Sequence, residues 1–188
     1  MSTRSSPHFL VLALLISSAA EARPRLKSFA SSEISISSLQ NQPRLFLGGR
    51  FGWIVNDQYS LGGALYSLLP RSPLSSSIVS RSDSVNILYG GPSFGYTLWR
   101  TGDFELLANV MVGIGGLGMR SRDPRLEGRR YDTFFVAQSD VTLLVNLARS
   151  FRVFVGGSYR YVSGINSIGY SDAFLSKPAA VVGLFFSL

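Results

Sequence analysis

The last eleven residues of the chain, 178–188, alternate strictly and end on a large apolar side chain. One face of this segment carries Ala180, Val182, Leu184, Phe186 and Leu188. A soluble protein would leave such an uncharged strand open to aggregation, whereas a closed barrel pairs it with the first strand. Because successive side chains of a strand point to opposite faces, the pattern predicts a sheet with one face in lipid and one in a packed lumen.

The same two-residue period returns along most of the chain, and no segment has the 3.6-residue period of an amphipathic helix. After weak alternation at 28–39, apolar stripes begin near Leu45, Tyr59, Val85, Phe104, Phe135 and Phe151. Short turns at 56–58, 100–103 and 148–150 alternate with long connections at 70–84, 118–130 and 163–177. Since bacterial barrels have an even number of strands, 28–39 must supply the first. We predict an all-β, eight-stranded antiparallel up-and-down transmembrane barrel.

The apolar stripe changes phase within the fourth predicted strand. Ile87 and Tyr89 occupy odd positions, whereas Phe94 and Tyr96 occupy even ones beyond a Gly-Gly-Pro sequence at 90–92. A shift of one residue at such a sequence is typical of a β-bulge. We therefore expect a bulge at 90–92.

The first 22 residues have the order of a secretory signal peptide. Arg4 precedes eight strongly apolar residues, 9–16, and small residues then lead to an Ala-Glu-Ala sequence that ends at Ala22. Eight apolar residues are far fewer than the roughly 20 that a helix needs to cross a bilayer. We predict cleavage after Ala22, which leaves residues 23–188 as an outer-membrane β-barrel in a Gram-negative bacterium.

The composition restricts the chemistry of the exported part of the chain. The sequence has no cysteine, and its only histidine, His8, lies in the predicted signal peptide. Ser-His-acid catalysts need an imidazole, and transition-metal sites without His or Cys are rare. We predict no enzymatic activity, no metal and no cofactor. The net charge of +7 does not indicate nucleic-acid binding, because the chain has no recognised binding fold for it.

Glycine-rich strand motifs support the barrel interpretation. They are Gly48-Gly-Arg-Phe-Gly-Trp-Ile-Val-Asn56, Leu61-Gly-Gly63, Tyr89-Gly-Gly91 and Tyr159-Arg-Tyr-Val-Ser-Gly164. With these motifs, almost the whole exported chain resembles small eight-stranded bacterial outer-membrane β-barrel proteins. The resemblance implies the fold and the outer-membrane location, and it brings no activity with it.

Four charged residues lie on faces opposite the apolar stripes and are expected in the lumen. They are Arg50, Glu105, Asp140 and Arg160. An eight-stranded barrel is only wide enough for its side chains to fill it, and an unpaired buried charge costs several kcal/mol. We therefore predict that the two arginines pair with the two acids and plug the lumen. Which arginine pairs with which acid stays open, and a gated path for ions or small solutes is the alternative.

A strongly basic segment, residues 119–130, falls in one of the long connections. Its arginines are Arg120, Arg122, Arg125, Arg129 and Arg130. On the outer surface, guanidinium groups could bind the phosphates of lipopolysaccharide or another surface polyanion. The simpler interpretation is a solvated loop that keeps the barrel mouth wet.

Two classes of function follow from these observations. The first is a non-enzymatic barrel with a structural or surface-interaction role, whose partners are outer-membrane lipid and the barrel-assembly machinery. The second is a narrow channel or carrier for small solutes. A soluble lipocalin-like barrel is a further possibility for the fold, but it would turn Arg50, Glu105 and Asp140 outward.

Overall fold

The computed structural model describes residues 24–39, 42–69, 84–120, 130–165 and 171–188, and the predicted signal peptide lies outside these ranges. The described elements are β1 (Leu26–Leu39), β2 (Gln42–Val55), β3 (Tyr59–Leu68), β4 (Ser84–Thr101), β5 (Phe104–Arg120), β6 (Arg130–Ala148), β7 (Phe151–Ser163), α1 (Asp172–Leu175) and β8 (Lys177–Ser187). In these ranges, no helix has the length and hydrophobicity needed to cross a bilayer.

Each strand pairs antiparallel with the next, and β1 also pairs with β8, so the sheet closes on itself. Closure places Ala30 opposite Phe186 and leaves no edge strand among the described residues. The predicted eight-stranded up-and-down barrel is confirmed, including the first strand that parity alone required. We call the end with the turns at 56–58, 102–103 and 149–150 the turn end, and the opposite end the loop end.

The turn between β2 and β3 shows why the sequence reverses at Asn56-Asp57. Both residues have positive φ, 54° and 57°, which Asn and Asp tolerate better than most residues. The backbone N–H of Gln58 donates to the Val55 carbonyl at 3.1 Å and closes the turn. Two residues with positive φ match the right-handed twist of the flanking strands, so this predicted turn is confirmed.

The outer face of the barrel is apolar, and the inner face is packed. In β5, Val110 is 48% exposed, whereas its neighbour Asn109 is 6% exposed. The outer face carries Leu47, Phe51, Trp53, Leu61, Leu65, Val112, Ile114, Val141, Val155, Val182 and Leu184. The predicted assignment of faces is confirmed, and a lipocalin-like barrel with an apolar interior and a polar exterior is excluded.

Large aromatic side chains are exposed on this outer face near both ends of the strands. Trp53 and Trp99 lie near the turn end, and Tyr159 and Tyr161 lie toward the loop end. Membrane barrels carry aromatic girdles at both interfaces, where an amphipathic ring contacts head groups and acyl chains together. The exterior is therefore that of a membrane-spanning barrel.

The bulge expected at residues 90–92 is absent from β4. Its register against β5 is the same on both sides of this sequence, with Gly90 opposite Ile114 and Ser93 opposite Met111. The register shifts instead between Thr97 and Trp99. The stripe changes phase because Ile87 and Tyr89, both 2% exposed, point into the lumen, which is itself apolar at the loop end.

Glycines on the inner face make room for aromatic rings. Gly48 lies directly opposite Tyr66, and a Cβ atom on Gly48 would overlap the Tyr66 ring. Gly115 stands in the same relation to Phe134 and Tyr89. The lumen of so narrow a barrel accommodates large side chains only where the facing strand offers none.

Candidate functional site

The lumen is filled by four groups of side chains, stacked from the turn end to the loop end. The turn-end charges are Arg100, Glu105 and Arg152. The lower cluster consists of Phe29, Leu107, Leu144, Phe154, Val181 and Phe185. The ionic layer consists of Glu33, Arg50, Asn109 and Asp140. The mouth cluster consists of Leu39, Phe46, Ala64, Tyr66, Leu68, Ile87, Tyr89, Met111, Leu117, Phe134, Val136, Val162, Ile165 and Leu175.

Arg50 is the centre of the ionic layer. Its Nη2 donates to Glu33 Oε2 at 2.5 Å, and its Nη1 donates to Asp140 Oδ2 at 3.0 Å. Asn109 Nδ2 donates to the same Asp140 oxygen at 2.9 Å. All four side chains are buried, so these charges interact with little screening by solvent.

The pair between Arg50 and Asp140 spans the barrel. Arg50 belongs to β2 and Asp140 to β6, and these strands are four places apart in a closed order of eight. Strands in this relation lie on opposite walls. The ionic layer therefore crosses the lumen from wall to wall at mid-height, and β1 contributes its third charge.

A second group of charges closes the turn end. Glu105 accepts from Arg100 Nη2 at 2.8 Å and from Arg152 Nη1 at 2.9 Å. Arg152 Nη2 also donates to Ser187 Oγ at 2.8 Å, and its guanidinium lies 4.6 Å from the Phe185 ring centroid. Glu105 thus pairs with two arginines that were not predicted as partners, because it lies too near the turn end to reach Arg50 or Arg160.

Arg160 differs from the other lumen arginines, and the structure corrects its predicted pairing with an acid. Its Nη1 donates to Tyr89 Oη at 3.0 Å, and its Nε donates to the Leu175 carbonyl at 2.9 Å. The guanidinium lies 4.3 Å from the ring centroid of Phe46 and 5.2 Å from that of Tyr89. Among the described residues, no carboxylate forms an ion pair with it. The physical reason is its position along the barrel axis. Arg160 lies among the mouth-cluster residues, nearer the loop end than the acids of the ionic layer and the turn end.

Glu33 was not predicted as a lumen residue, although a signal for it existed. Glu33 has the same parity as Phe29 and Ser35 and the opposite parity to Ile34 and Ile36, so the weak stripe of β1 already placed it inward. Arg152 likewise lies opposite a recognised stripe. The short helix α1 left no periodic signal, because four residues form barely one helical turn.

A small cavity separates the ionic layer from the lower cluster. Its volume is about 10 Å³, and its wall includes Arg50, Asn109, Thr142, Phe29 and Phe154. A cavity of this size is at the lower limit for holding one water molecule. It offers no room for a larger solute in the closed barrel.

The arginines of the predicted polyanion site lie mostly outside the described residues. Strand β5 ends at Arg120, and β6 begins at Arg130. The strands therefore extend further into the predicted 118–130 loop than expected. Arg122, Arg125 and Arg129 fall in residues 121–129, which the structure does not describe. In the described ranges, no group of three or more His, Cys, Asp or Glu residues is arranged to hold a metal ion.

Comparison with solved structures shows the same architecture in small bacterial barrels. The chain is similar to Neisserial surface protein A, with a TM-score of 0.64 and 9% identity over 89% of this chain and 100% of that one. It is similar to the N-terminal β-barrel domain of OprF from Pseudomonas aeruginosa, with a TM-score of 0.56 and 12% identity over 88% and 100% of the two chains.

A third similar structure is the attachment invasion locus protein Ail of Yersinia pestis, solved with the heparin analogue sucrose octasulfate. Its TM-score is 0.50, at 13% identity over 89% of this chain and 100% of that one. No protein-family model matches the chain, and no curated protein matches it.

Architecture and surface together define the class of this protein. It is a closed eight-stranded barrel with an apolar exterior, and barrels similar to it come from bacterial outer membranes. The chain has the fold of small bacterial outer-membrane β-barrel proteins.

Proposed function

We propose that this protein is a non-enzymatic barrel with a plugged lumen, whose role is structural or is carried out by surface contacts at its loop end. The observation that carries the proposal is the wall-to-wall pair of Arg50 and Asp140. The interior of an eight-stranded barrel is just wide enough for side chains to fill it, so a pair that bridges it supports a closed lumen. The mouth cluster and the lower cluster add an apolar barrier on each side of this pair.

The proposal of a non-enzymatic barrel is based on the residues that the sequence makes available. The only histidine of the sequence is His8, and the described lumen acids are held by arginines. A general acid or base has to exchange protons with a substrate, whereas these carboxylates are occupied as structural acceptors.

Planar-bilayer recording tests whether the lumen is closed. We expect no single-channel steps from the wild-type barrel. An Arg50→Ser, Asp140→Ser double variant removes the bridge and leaves the net charge of the ionic layer unchanged, with Glu33 as its remaining charge, and we expect it to show small conductance steps. Arg149→Ser, at an exposed turn residue, is the matched control and should be silent. Regular conductance steps from the wild type would favour the narrow channel instead.

A surface role through the basic loop is the second half of the proposal. The residues that we expect to bind lipopolysaccharide phosphates or another polyanion are Arg120, Arg122, Arg125, Arg129 and Arg130. The complex of Ail with a heparin analogue supports a polyanion partner for a barrel of this architecture.

Binding of heparin and of lipopolysaccharide should fall when three of these arginines, Arg122, Arg125 and Arg129, are replaced by Gln. A control that replaces Arg25, Lys27 and Arg149, all exposed at the turn end, should bind as the wild type does. Equal loss in both variants would mean that only the net charge matters and that the loop is a solvated surface.

A further inference from the structure

Arg160 is a buried arginine that forms no ion pair among the described residues. Arg160 is 4% exposed, and its Nη2 has no hydrogen-bond partner in the described part of the chain. Burying a guanidinium with an unused donor is costly unless some state of the protein uses that donor. Arg160 therefore points to a ligand that the ionic layer does not supply.

The unused donor lies on the edge of the guanidinium that carboxylates recognise. The Nε–H bond and one Nη2–H bond are parallel and form the fork that donates to the two oxygens of a carboxylate. The Leu175 carbonyl accepts from Nε at 2.9 Å, while Nη2 has no partner. A single neutral oxygen thus occupies half of a site that fits a charged group with two oxygens.

Helix α1, which ends at Leu175, also places apolar side chains beside the Leu175 carbonyl oxygen. Leu175 is 1% exposed and belongs to the mouth cluster, and Phe174 packs against that cluster. Helix α1 therefore presents an acceptor oxygen and an apolar extension in the arrangement that an amphipathic anion would have.

We propose that the loop-end half of the lumen is a binding site for an amphipathic carboxylate, a molecule of the fatty-acid type. Arg160 binds the carboxylate through Nε and Nη2, and the mouth-cluster residues other than Leu175 pack against the apolar chain. In the structure described here, α1 occupies this site as an internal substitute for the ligand.

Within the described ranges, the polar contacts given for α1 and Ser176 are weak enough for a ligand to compete with them. The helix has four residues, and its N-cap residue Ser171 forms no side-chain capping bond. Beyond the bond to Arg160, Ser176 Oγ accepts from the Val162 N–H at 3.0 Å, and Asp172 Oδ1 accepts from the Ile165 N–H at 2.9 Å. Short elements with few bonds open at a small fraction of the global unfolding free energy.

The site ends at Arg160 and does not continue through the lumen. Ligand binding there is therefore independent of whether the lumen is plugged. Tyr89 links Arg160 to Gln138, and the ionic layer lies on the turn-end side of this contact. A bound carboxylate would reach Arg160 from the loop end and would stop there. The protein can therefore bind the ligand and still conduct nothing, so conductance tests the plugged lumen and binding tests this site.

Nuclear magnetic resonance on isotope-labelled protein in an uncharged detergent measures the binding. Decanoate is the probe, and decanol, which has the same chain and no charge, is the control for partition into the detergent. We expect decanoate to shift the Arg160 Nε–H resonance and the backbone amides of Val162 and Ser176. Decanol should leave the Arg160 resonance where it is.

Two variants determine whether the shifts report the proposed site. Arg160→Met keeps an apolar side chain of similar length, and its affinity for decanoate, followed at Val162 and Ser176, should fall by about tenfold or more. Leu175→Ala weakens the internal competitor, so its affinity should rise several-fold. A residue with a purely structural role would not give opposite changes in these two proteins.

The proposal is overturned by any of three results: equal shifts with decanol and decanoate, unchanged affinity in Arg160→Met, or weaker binding in Leu175→Ala. Migration on a heat-modifiability gel shows that each variant is a folded barrel. If Arg160→Met does not fold, the sign of the change in Leu175→Ala decides the matter alone.

Discussion

Arg50 and Arg160 are alike in the sequence and differ in the folded protein. Each lies on a long strand and points into the lumen, and each is followed by an exposed aromatic residue, Phe51 or Tyr161. Arg50 joins two carboxylates from other strands. Arg160 lies against two aromatic rings and donates to a hydroxyl and a backbone carbonyl.

The difference shows what determines the environment of a lumen residue. Whether a position is odd or even determines only which face of the strand its side chain is on. The partners of a lumen side chain depend on its position along the barrel axis and on the residues of the opposite wall. Both of these follow from the tilt of the strands and the stagger of their register. Two residues with the same local pattern can therefore be held by charge in one layer and by ring packing in the next.

The largest expected effect comes from removing each arginine in turn. Arg50→Met leaves both Glu33 and Asp140 buried without their partner, and we expect a loss of about 3–5 kcal/mol in unfolding free energy. Arg160→Met leaves a hydroxyl and a carbonyl without their donor, and the loss should be about 1–3 kcal/mol. Urea unfolding in detergent or lipid measures both. Equal losses would show that the two environments do not differ in kind.

Double-mutant cycles sharpen the same comparison. Arg50→Met combined with Asp140→Asn should give a coupling energy of about 1–3 kcal/mol, because the two side chains share a direct bond. Arg160→Met combined with Asp140→Asn should be additive within about 0.5 kcal/mol. Strong coupling in the second cycle would restore the pairing that the sequence analysis predicted.

Packing at the loop end can be tested without touching a charge. Gly48→Ala should push Tyr66 against Tyr89, whose ring centroids lie 5.0 Å apart, and cost about 1–3 kcal/mol. Gly116→Ala is the matched control, because its new Cβ has no atom within 4 Å. Thermal unfolding followed by gel mobility compares the two. A neutral Gly48→Ala variant would mean that the mouth cluster is loosely packed.

The exposed ion pair of Lys27 and Asp57 should have the smallest effect on the unfolding free energy, and it serves as a reference for the buried ion pairs. At the turn end, the hydrogen bond from Lys27 lowers the pKa of Asp57 below its ordinary value. The pair of Lys27 and Asp57 therefore stabilises the fold above the unfolded pKa of Asp57, which is about 4. This stabilisation is lost as the pH falls through the lower pKa of Asp57 in the folded protein. Solvent screens both side chains, so we expect less than about 0.5 kcal/mol.

The measurement for this pair compares wild type with Asp57→Asn, which keeps a residue that tolerates positive φ. The difference in unfolding free energy should be measurable near about pH 7 and should vanish near about pH 2. A difference that does not change with pH would assign the effect to the turn conformation and not to the charge.

The lipid-facing half of the structure could be predicted from the sequence. Lipid requires an apolar side chain at nearly every second position, so stripes such as Phe104 to Ile114 carry a strong period of two. The lumen imposes no such rule, since it accepts Arg50, Asn109 and Tyr89 alike. That is why the phase change in β4 was mistaken for a bulge.

The candidate site was harder to predict, for reasons that the residues make plain. Arg50 and Asp140 were recognised because strong stripes surround them, and Glu33 was missed because serines dilute the stripe of β1. The partners of Arg160 come from β4 and from a four-residue helix, and no pattern within β7 refers to either.

The seam between β1 and β8 has a consequence for the order of the chain. The Leu188 N–H donates to the Ser28 carbonyl at 2.9 Å, so both ends of the barrel segment meet beside the turns at 56–58, 102–103 and 149–150. The strands form a circle that the termini interrupt at one of four similar places. A circular permutant joined across this seam and opened at Arg149 and Ser150 would keep every strand neighbour. The linear order of the strands thus matters to synthesis and export, while the folded barrel depends only on the circle.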